Sequence, residues 1–447
     1  MKNSLSIKET LAIGLMLFAL FFGAGNMIFP PVLGQYAGEN VWLAIGGFLL
    51  TGVGLPLLGV IAIALTGTGA KSLADKAHPI FGTIFTVILY LSIGPFFAIP
   101  RTGTVSYEIG LAPFLSETQT SSWVPLFLFT LVFFTITYLL ALNPSKLVDR
   151  IGKVLTPILL TVIAIIVFKA IATPMGMIGA PDATYKANPL FTGFLEGYKT
   201  MDALASLVFG IVVVTAVKER GITERKSLAA ACIKAGLVAA VGLALVYISL
   251  AYVGASSPDT TGMVGANEGG KLLSLSASFL FGSAGNIVLG VAILFACLTT
   301  SVGLVSSCGE YFSKLFPALS YRTIVLIVSL FSTLVANLGL AQIISLSVPV
   351  LVAIYPLAIV IILLSFLDRW INGRRVIYAV PLIFTGFFAI IDGLLAAKYN
   401  LGGLPAFLDA FIPFYDLGIG WVVPAIIGAG IGVLISMFTS PPKQLAS

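Results

Sequence analysis

The chain has 447 residues, of which 58% are apolar and only 9% charged. No soluble domain of this length hides so much apolar surface, so lipid is its solvent. The net charge of +6 calls for no nucleic acid, because the basic residues gather at the ends of apolar runs, where they meet a membrane surface.

Apolar runs of about 20 residues alternate with short polar breaks. Twelve spans are expected, near 10–33, 41–65, 81–112, 123–142, 150–172, 195–217, 227–254, 285–312, 321–337, 341–366, 377–396 and 417–438. An even number puts both termini on one side. With that side cytoplasmic, Lys71, Lys76, Arg220, Arg225, Arg374, Arg375 and most other Lys and Arg residues lie inside. The outer segments keep Lys169, Lys186, Lys199, Lys271 and Lys398, and Arg101 alone falls within a span. Cys232, Cys297 and Cys308 lie in apolar spans and read as small buried hydrophobes. His78, the single histidine, lies in a loop with no zinc motif or Ser-His-Asp set around it.

The first span contains ALFFGAGNMIFPP, Ala19 to Pro31. Lys2, Lys8, Leu11–Phe22 and the small residues 23–25 resemble a signal peptide, but Glu9 and the apolar continuation at Met27 argue for a retained helix. Gly, Asn and Pro together predict a break in mid-membrane. A break frees N–H groups on one half-helix and C=O groups on the other, and in hydrocarbon each needs a partner. The N–H end suits a carboxylate and the C=O end suits an ammonium or a metal ion. Gly23 and Gly25 let a ligand approach the backbone, and Asn26 supplies an amide.

The third span carries SIGPFFAIPRTGTVSYEIG. Pro95 and Pro100 are expected to kink it. Arg101, in its outer half, is expected to brace or gate helices, or to snorkel to the interface, and Thr102 and Tyr107 to reach the site. The sixth span, GYKTMDALASLVFGIVVV, carries Asp202, Ser206 and Gly210, and looks interrupted like the first. Spans 1 and 6 are five apart, the topology of a five-plus-five inverted repeat, and paired interruptions mark a transporter's binding site. Non-membrane stretches near 173–194, 255–284 and 397–416 read as outer loops, with an amphipathic segment from Asn267 that serves as a connector or a vestibule cap. The eighth span has hydroxyls at Thr299, Thr300, Ser301, Ser306 and Ser307, which either bond back to their own helix or form an oxygen cage for Na⁺.

FFGAGNMIFPP, GPFFAIPRTGTVSYEIG, YKTMDALASLVFGIVVV, CLTTSVGL and SVPVLVAIYPLAIV together resemble the bacterial BrnQ-type branched-chain amino acid:cation symporters, over nearly the whole chain. That resemblance implies an all-α, LeuT-like membrane fold: a first repeat over 1–172, a second over 195–366 and two extra helices over 377–438. It implies that Ala24 and Gly25 N–H hold the substrate carboxylate, and that Phe21 C=O and carbonyls near Ala203, Leu204 and Ser206 hold the ammonium. For Na⁺ it implies the Ala19 and Phe22 carbonyls with either Ala296 C=O, Thr299 and Thr300, or Cys297 C=O, Thr300 and Ser301. Asn26 falls where the fold often has a second sodium ligand. The implied partners are branched-chain L-amino acids, Na⁺ and the bilayer of a bacterial inner membrane, with a monomer sufficient for transport. Apolar surroundings agree with Leu, Ile and Val as cargo, and charged amino acids are expected to be rejected for want of a buried counter-charge. The rivals are proton coupling through Lys153, Glu108 or Asp202, a sensor or channel without turnover, and a membrane enzyme, for which no nucleophile–base pair is visible.

Overall fold

The computed structural model describes residues 4–67, 69–371 and 373–438, without the side chains of 144–155 and 369. Ser6 starts the first helix: its hydroxyl accepts from Glu9 N–H while the Glu9 carboxylate accepts from Ser6 N–H. Helix α1 (Ile7–Phe21) then runs to Phe22, and α2 (Ala24–Ala37) begins beyond Gly23. The gap is confined to Phe22 and Gly23, because α2 continues through Pro30 and Pro31. Those prolines remove only the N–H groups that would have met the Asn26 and Met27 carbonyls.

The second span is α3 (Val41–Leu49) joined to α4 (Leu55–Thr66) by one widened turn. The third is α5 (Pro79–Leu91) and α6 (Ala98–Gly110), kinked at Gly94–Pro95. Pro100 adds no kink, because it stands in the first turn of α6, where an N–H has no intrahelical partner. Then follow α7 (Trp123–Ala141) and α8 (Pro144–Ala172).

The sixth span is α9 (Pro189–Tyr198) and α10 (Asp202–Lys218), bent by 48° across residues 199–201. It therefore starts six residues before the expected 195. Glu196, Lys199 and Thr200 depress the hydropathy of its first half, which hides it among loop residues. The remaining spans are α11 (Arg225–Ala255), α12 (Gly269–Leu315), α13 (Tyr321–Ala336), α14 (Leu340–Ile371), α15 (Arg375–Ala396) and α16 (Val422–Phe438). No strand occurs among the described residues. Seven helical stretches there are long and apolar enough to cross a bilayer singly, and eight with the bent pair; α13 and α16 are apolar but shorter. Ile84, Leu128, Phe168, Leu245, Leu334 and Ile426 are exposed, as lipid-facing side chains should be.

Glycine sets how closely the helices cross. A Cβ on Gly34 of α2 would stand 1.9 Å from the Ala251 carbonyl oxygen of α11, and one on Gly254 would stand 1.8 Å from that of Pro31. Gly47 and Gly193 lock α3 against α9 in the same way. One half of each interrupted span, α2 and α9, is thus clasped by a neighbour.

The amphipathic segment is the first arm of α12, which turns at Gly282 (φ 64°) into the eighth span. Its start covers the ends of two other helices: Gly269 packs on Ile28 of α2 and Gly270 on Glu108 of α6. Gln35 fastens the preceding loop by bonds to Ser257 Oγ, Thr261 Oγ1, Gly262 C=O and Val264 N–H. At the opposite face, Arg225 donates to Leu65 C=O, and Lys76 pairs with Asp368 at 2.8 Å.

Candidate substrate and ion site

The two gaps face one cavity. Its walls are Leu20, Phe21, Gly23, Ala24, Gly25 and Asn26 from the first gap, and Thr200, Met201, Asp202, Ala205 and Phe209 from the second. The third span adds Ile93, Ala98, Arg101 and Thr102, and the eighth adds Thr300 and Leu304. Phe21 and Phe209 meet edge to face at 5.8 Å between ring centroids and, with Leu20, Ile93 and Leu304, make one side of the cavity apolar.

The other side is charged and hydrogen-bonded. Asn26, 2% exposed, turns its amide nitrogen to Asp202 Oδ2 at 2.6 Å and also to Tyr247 Oη. Tyr247 Oη donates to the same carboxylate oxygen at 2.9 Å. Asn26 Oδ1 in turn accepts from Gly23 N–H at 3.1 Å, so one side chain ties the first gap to α10 and α11. Ala24 and Gly25 open α2, and first-turn N–H groups have no partner within their helix.

Arg101 does not snorkel. It is 2% exposed, and Nη1 donates to Lys199 C=O at 2.6 Å, inside the second gap. Nη2 donates to Ser347 Oγ on α14 at 3.2 Å, and the guanidinium lies 5.2 Å from the centroid of the Phe29 ring. The expected bracing of helices is there: α6, α9 and α14 meet at this side chain. The expectation that no charge lies beside the break does not hold, since Arg101 and Asp202 both line the cavity.

Ala203, Leu204 and Ser206 are buried in α10 but do not line the cavity. Ser206 Oγ donates to Ala203 C=O at 2.6 Å and packs on Gly59 of α4. The reason is register: the chain is unwound at residues 199–201, where Met201 takes φ 65°, and helical pairing has resumed by Ala203. Asp202 carries a signal that sequence reasoning noted, a carboxylate beside an apolar run; Tyr247, in an unremarkable span, carries none.

The hydroxyl run separates by partner. Thr299 Oγ1 bonds back to Phe295 C=O at 2.7 Å, whereas Thr300 Oγ1 reaches across to Ala19 C=O at 3.3 Å. Ser301 is fully buried and its hydroxyl has no protein partner. Gly23 touches Thr300: a Cβ there would stand 2.9 Å from Oγ1. Thr299 thus spends its hydroxyl on its own helix, whereas Thr300 turns toward helix α1. Thr102 lines the cavity with its hydroxyl bonded back to Ile99 C=O at 2.5 Å. Among the described residues no cluster of three His, Cys, Asp or Glu could hold a metal ion. Lys153 lies among the side chains not described.

Residues 6–439 match the family model described as "Branched-chain amino acid transport protein". The chain belongs to this family. It is 67% identical to the branched-chain amino acid permease BraB of Bacillus subtilis (strain 168), over 100% of this chain and 99% of that one. Among solved structures it resembles Mhp1, a nucleobase-cation-symport-1 family transporter in a closed conformation with bromovinylhydantoin bound (TM-score 0.64, 14% identity, 97% of this chain and 94% of that one). It also resembles MhsT in complex with L-phenylalanine (TM-score 0.58, 15% identity, 95% of this chain and 98% of that one). The fold of this family member is accordingly all-helical and LeuT-like, with the first and sixth spans broken.

Proposed function

We propose that the protein carries leucine, isoleucine and valine across the bacterial cytoplasmic membrane together with Na⁺. The observation that carries this reading is the cavity between the two gaps. Its lining combines helix-end N–H groups and the charged side chains of Arg101 and Asp202 with the apolar side chains of Phe21, Phe209, Ile93 and Leu304. An amino acid with an aliphatic side chain meets both needs at once. The family match supports the substrate class.

For Na⁺, the carbonyls of Ala19 and Phe22 with the hydroxyls of Thr300 and Ser301 form the proposed oxygen set. It joins helix 1 to helix 8, so a bound ion biases the equilibrium between conformations that bring these helices together or part them. Both termini are assigned to the cytoplasm, where Arg220 and Arg225 also lie. In this scheme residues 1–172 form the first repeat and the second begins with α9 at Pro189, and the first and sixth spans tilt against the third, fourth, eighth and ninth. In this reading a monomer carries the whole transport site.

Proton coupling is the second reading, and the buried Asp202 carboxylate is the observation that favours it. Uptake of labelled leucine into proteoliposomes, with Na⁺ replaced by choline at fixed pH, separates the two. Loss of concentrative uptake in choline is expected. Uptake that persists and follows a pH gradient would establish the proton instead, and no concentrative uptake under either gradient would remove transport altogether.

A further inference from the structure

Two buried side chains of opposite charge line the cavity without forming an ion pair with each other. Burying either charge is costly without compensation, and an unmatched pair across a cavity invites a ligand that carries both signs. Asp202 Oδ2 is held by Asn26 Nδ2 and Tyr247 Oη, so the carboxylate is fixed in place by donors on two other helices. Arg101 is fixed by the Lys199 carbonyl, Ser347 and the Phe29 ring. Its Nε–H is buried and has no protein partner. Nη1 lies 3.2 Å from where a Cβ on Gly25 would stand, against the first turn of α2.

We propose that Arg101 and Asp202 form a charge clamp for the two ends of an α-amino acid, and this rests on the transport reading above. Arg101 joins the Ala24 and Gly25 N–H groups in holding the carboxylate. Asp202 holds the ammonium, with Tyr247 and Asn26 positioning it. The clamp selects the class of ligand: it needs both charged groups attached to one carbon, and it leaves the apolar residues to choose the side chain. A monovalent analogue of either sign satisfies one partner and leaves the other buried and unmatched, and so binds more weakly than the amino acid.

The test uses purified full-length protein and three ligands: leucine, 4-methylpentanoate (carboxylate only) and 3-methylbutylamine (ammonium only). Binding is read as ligand-induced thermal stabilisation over a concentration series. Asp202→Asn is expected to weaken leucine and the amine tenfold or more while leaving the carboxylate analogue unchanged or tighter. Arg101→Gln is expected to give the mirror image. Asp202→Glu and Arg101→Lys keep the charges and should retain the wild-type order of ligands, which covers the case of a neutral variant that does not fold. Equal losses for all three ligands in both neutral variants would show mere braces and overturn the clamp. A wild-type protein that responds to no branched-chain amino acid but to another zwitterion overturns the transport reading instead, and the clamp is then scored with that ligand.

Discussion

Thr300 Oγ1 donates to the Ala19 carbonyl across 3.3 Å, and so joins the eighth span to the last turn of α1, beside the gap. Its neighbour Thr299 spends its hydroxyl on its own helix. In the proposed Na⁺ site Thr300→Ala removes a ligand oxygen. The Na⁺ concentration for half-maximal leucine uptake should rise about tenfold, the equivalent of about 1.4 kcal/mol. Thr300→Ser should retain most of the affinity, and both variants should keep the wild-type melting temperature within a few degrees. A Na⁺ titration of uptake, with melting curves alongside, checks this; unchanged Na⁺ affinity in Thr300→Ala would remove the residue from the ion site.

Gly25 opens a second prediction. A Cβ there would stand 3.2 Å from Arg101 Nη1, 3.2 Å from the Phe29 ring and 3.4 Å from the Thr200 backbone. The neighbours can yield a few tenths of an ångström to a methyl group but not to a branched side chain. Gly25→Ala should raise the leucine KM, and Gly25→Val should abolish uptake while the protein still reaches the membrane. A normal leucine KM in Gly25→Val would place the carboxylate elsewhere.

How much of this was legible follows from how each feature is encoded. The first gap was, because Gly23, Gly25 and Asn26 oppose an apolar helix by their own chemistry. The second gap was only half legible. Asp202 marks its neighbourhood, but the turn is made by Lys199, Thr200 and Met201, none of them glycine or proline. Met201 takes a left-handed φ that no local propensity announces; the surrounding packing imposes it. The expected contacts at Ala203, Leu204 and Ser206 lie just past this turn, where the helix has resumed. The partners of Arg101 and Asp202 were not legible at all. Ser347 is 246 residues from Arg101, and Asn26 is 176 from Asp202, so only the fold brings them together.

Packing glycines away from the site should behave differently from those at the gaps. Gly34 faces the Ala251 carbonyl oxygen at 1.9 Å from an added Cβ, and Gly193 faces that of Ala44 at 1.8 Å. Both obstacles are backbone, so no rotamer change relieves them. Gly34→Ala and Gly193→Ala should destabilise the fold by about 1–3 kcal/mol through overpacking. The expected readout is a lower melting temperature and less monodisperse protein on size-exclusion chromatography. The fraction that does fold should show a Na⁺ dependence close to wild type. A wild-type melting temperature would mean the helices can separate there without cost.

Side-chain choice rests on the apolar wall. Phe209 meets Phe21 edge to face and both rings line the cavity, so in the proposed site the pair limits how far a substrate side chain can extend. Phe209→Ala removes a ring, and the space it leaves favours a larger guest. One methylene in an apolar pocket discriminates by about 1–3 kcal/mol, so a missing ring should reorder preferences well beyond tenfold. Uptake of phenylalanine relative to valine should rise, chiefly because valine no longer fills the pocket. Phe209→Leu, closer in volume, should change the order less. Competition of each amino acid against labelled leucine gives the ranking directly. An unchanged ranking in Phe209→Ala would mean that the substrate side chain does not reach this ring.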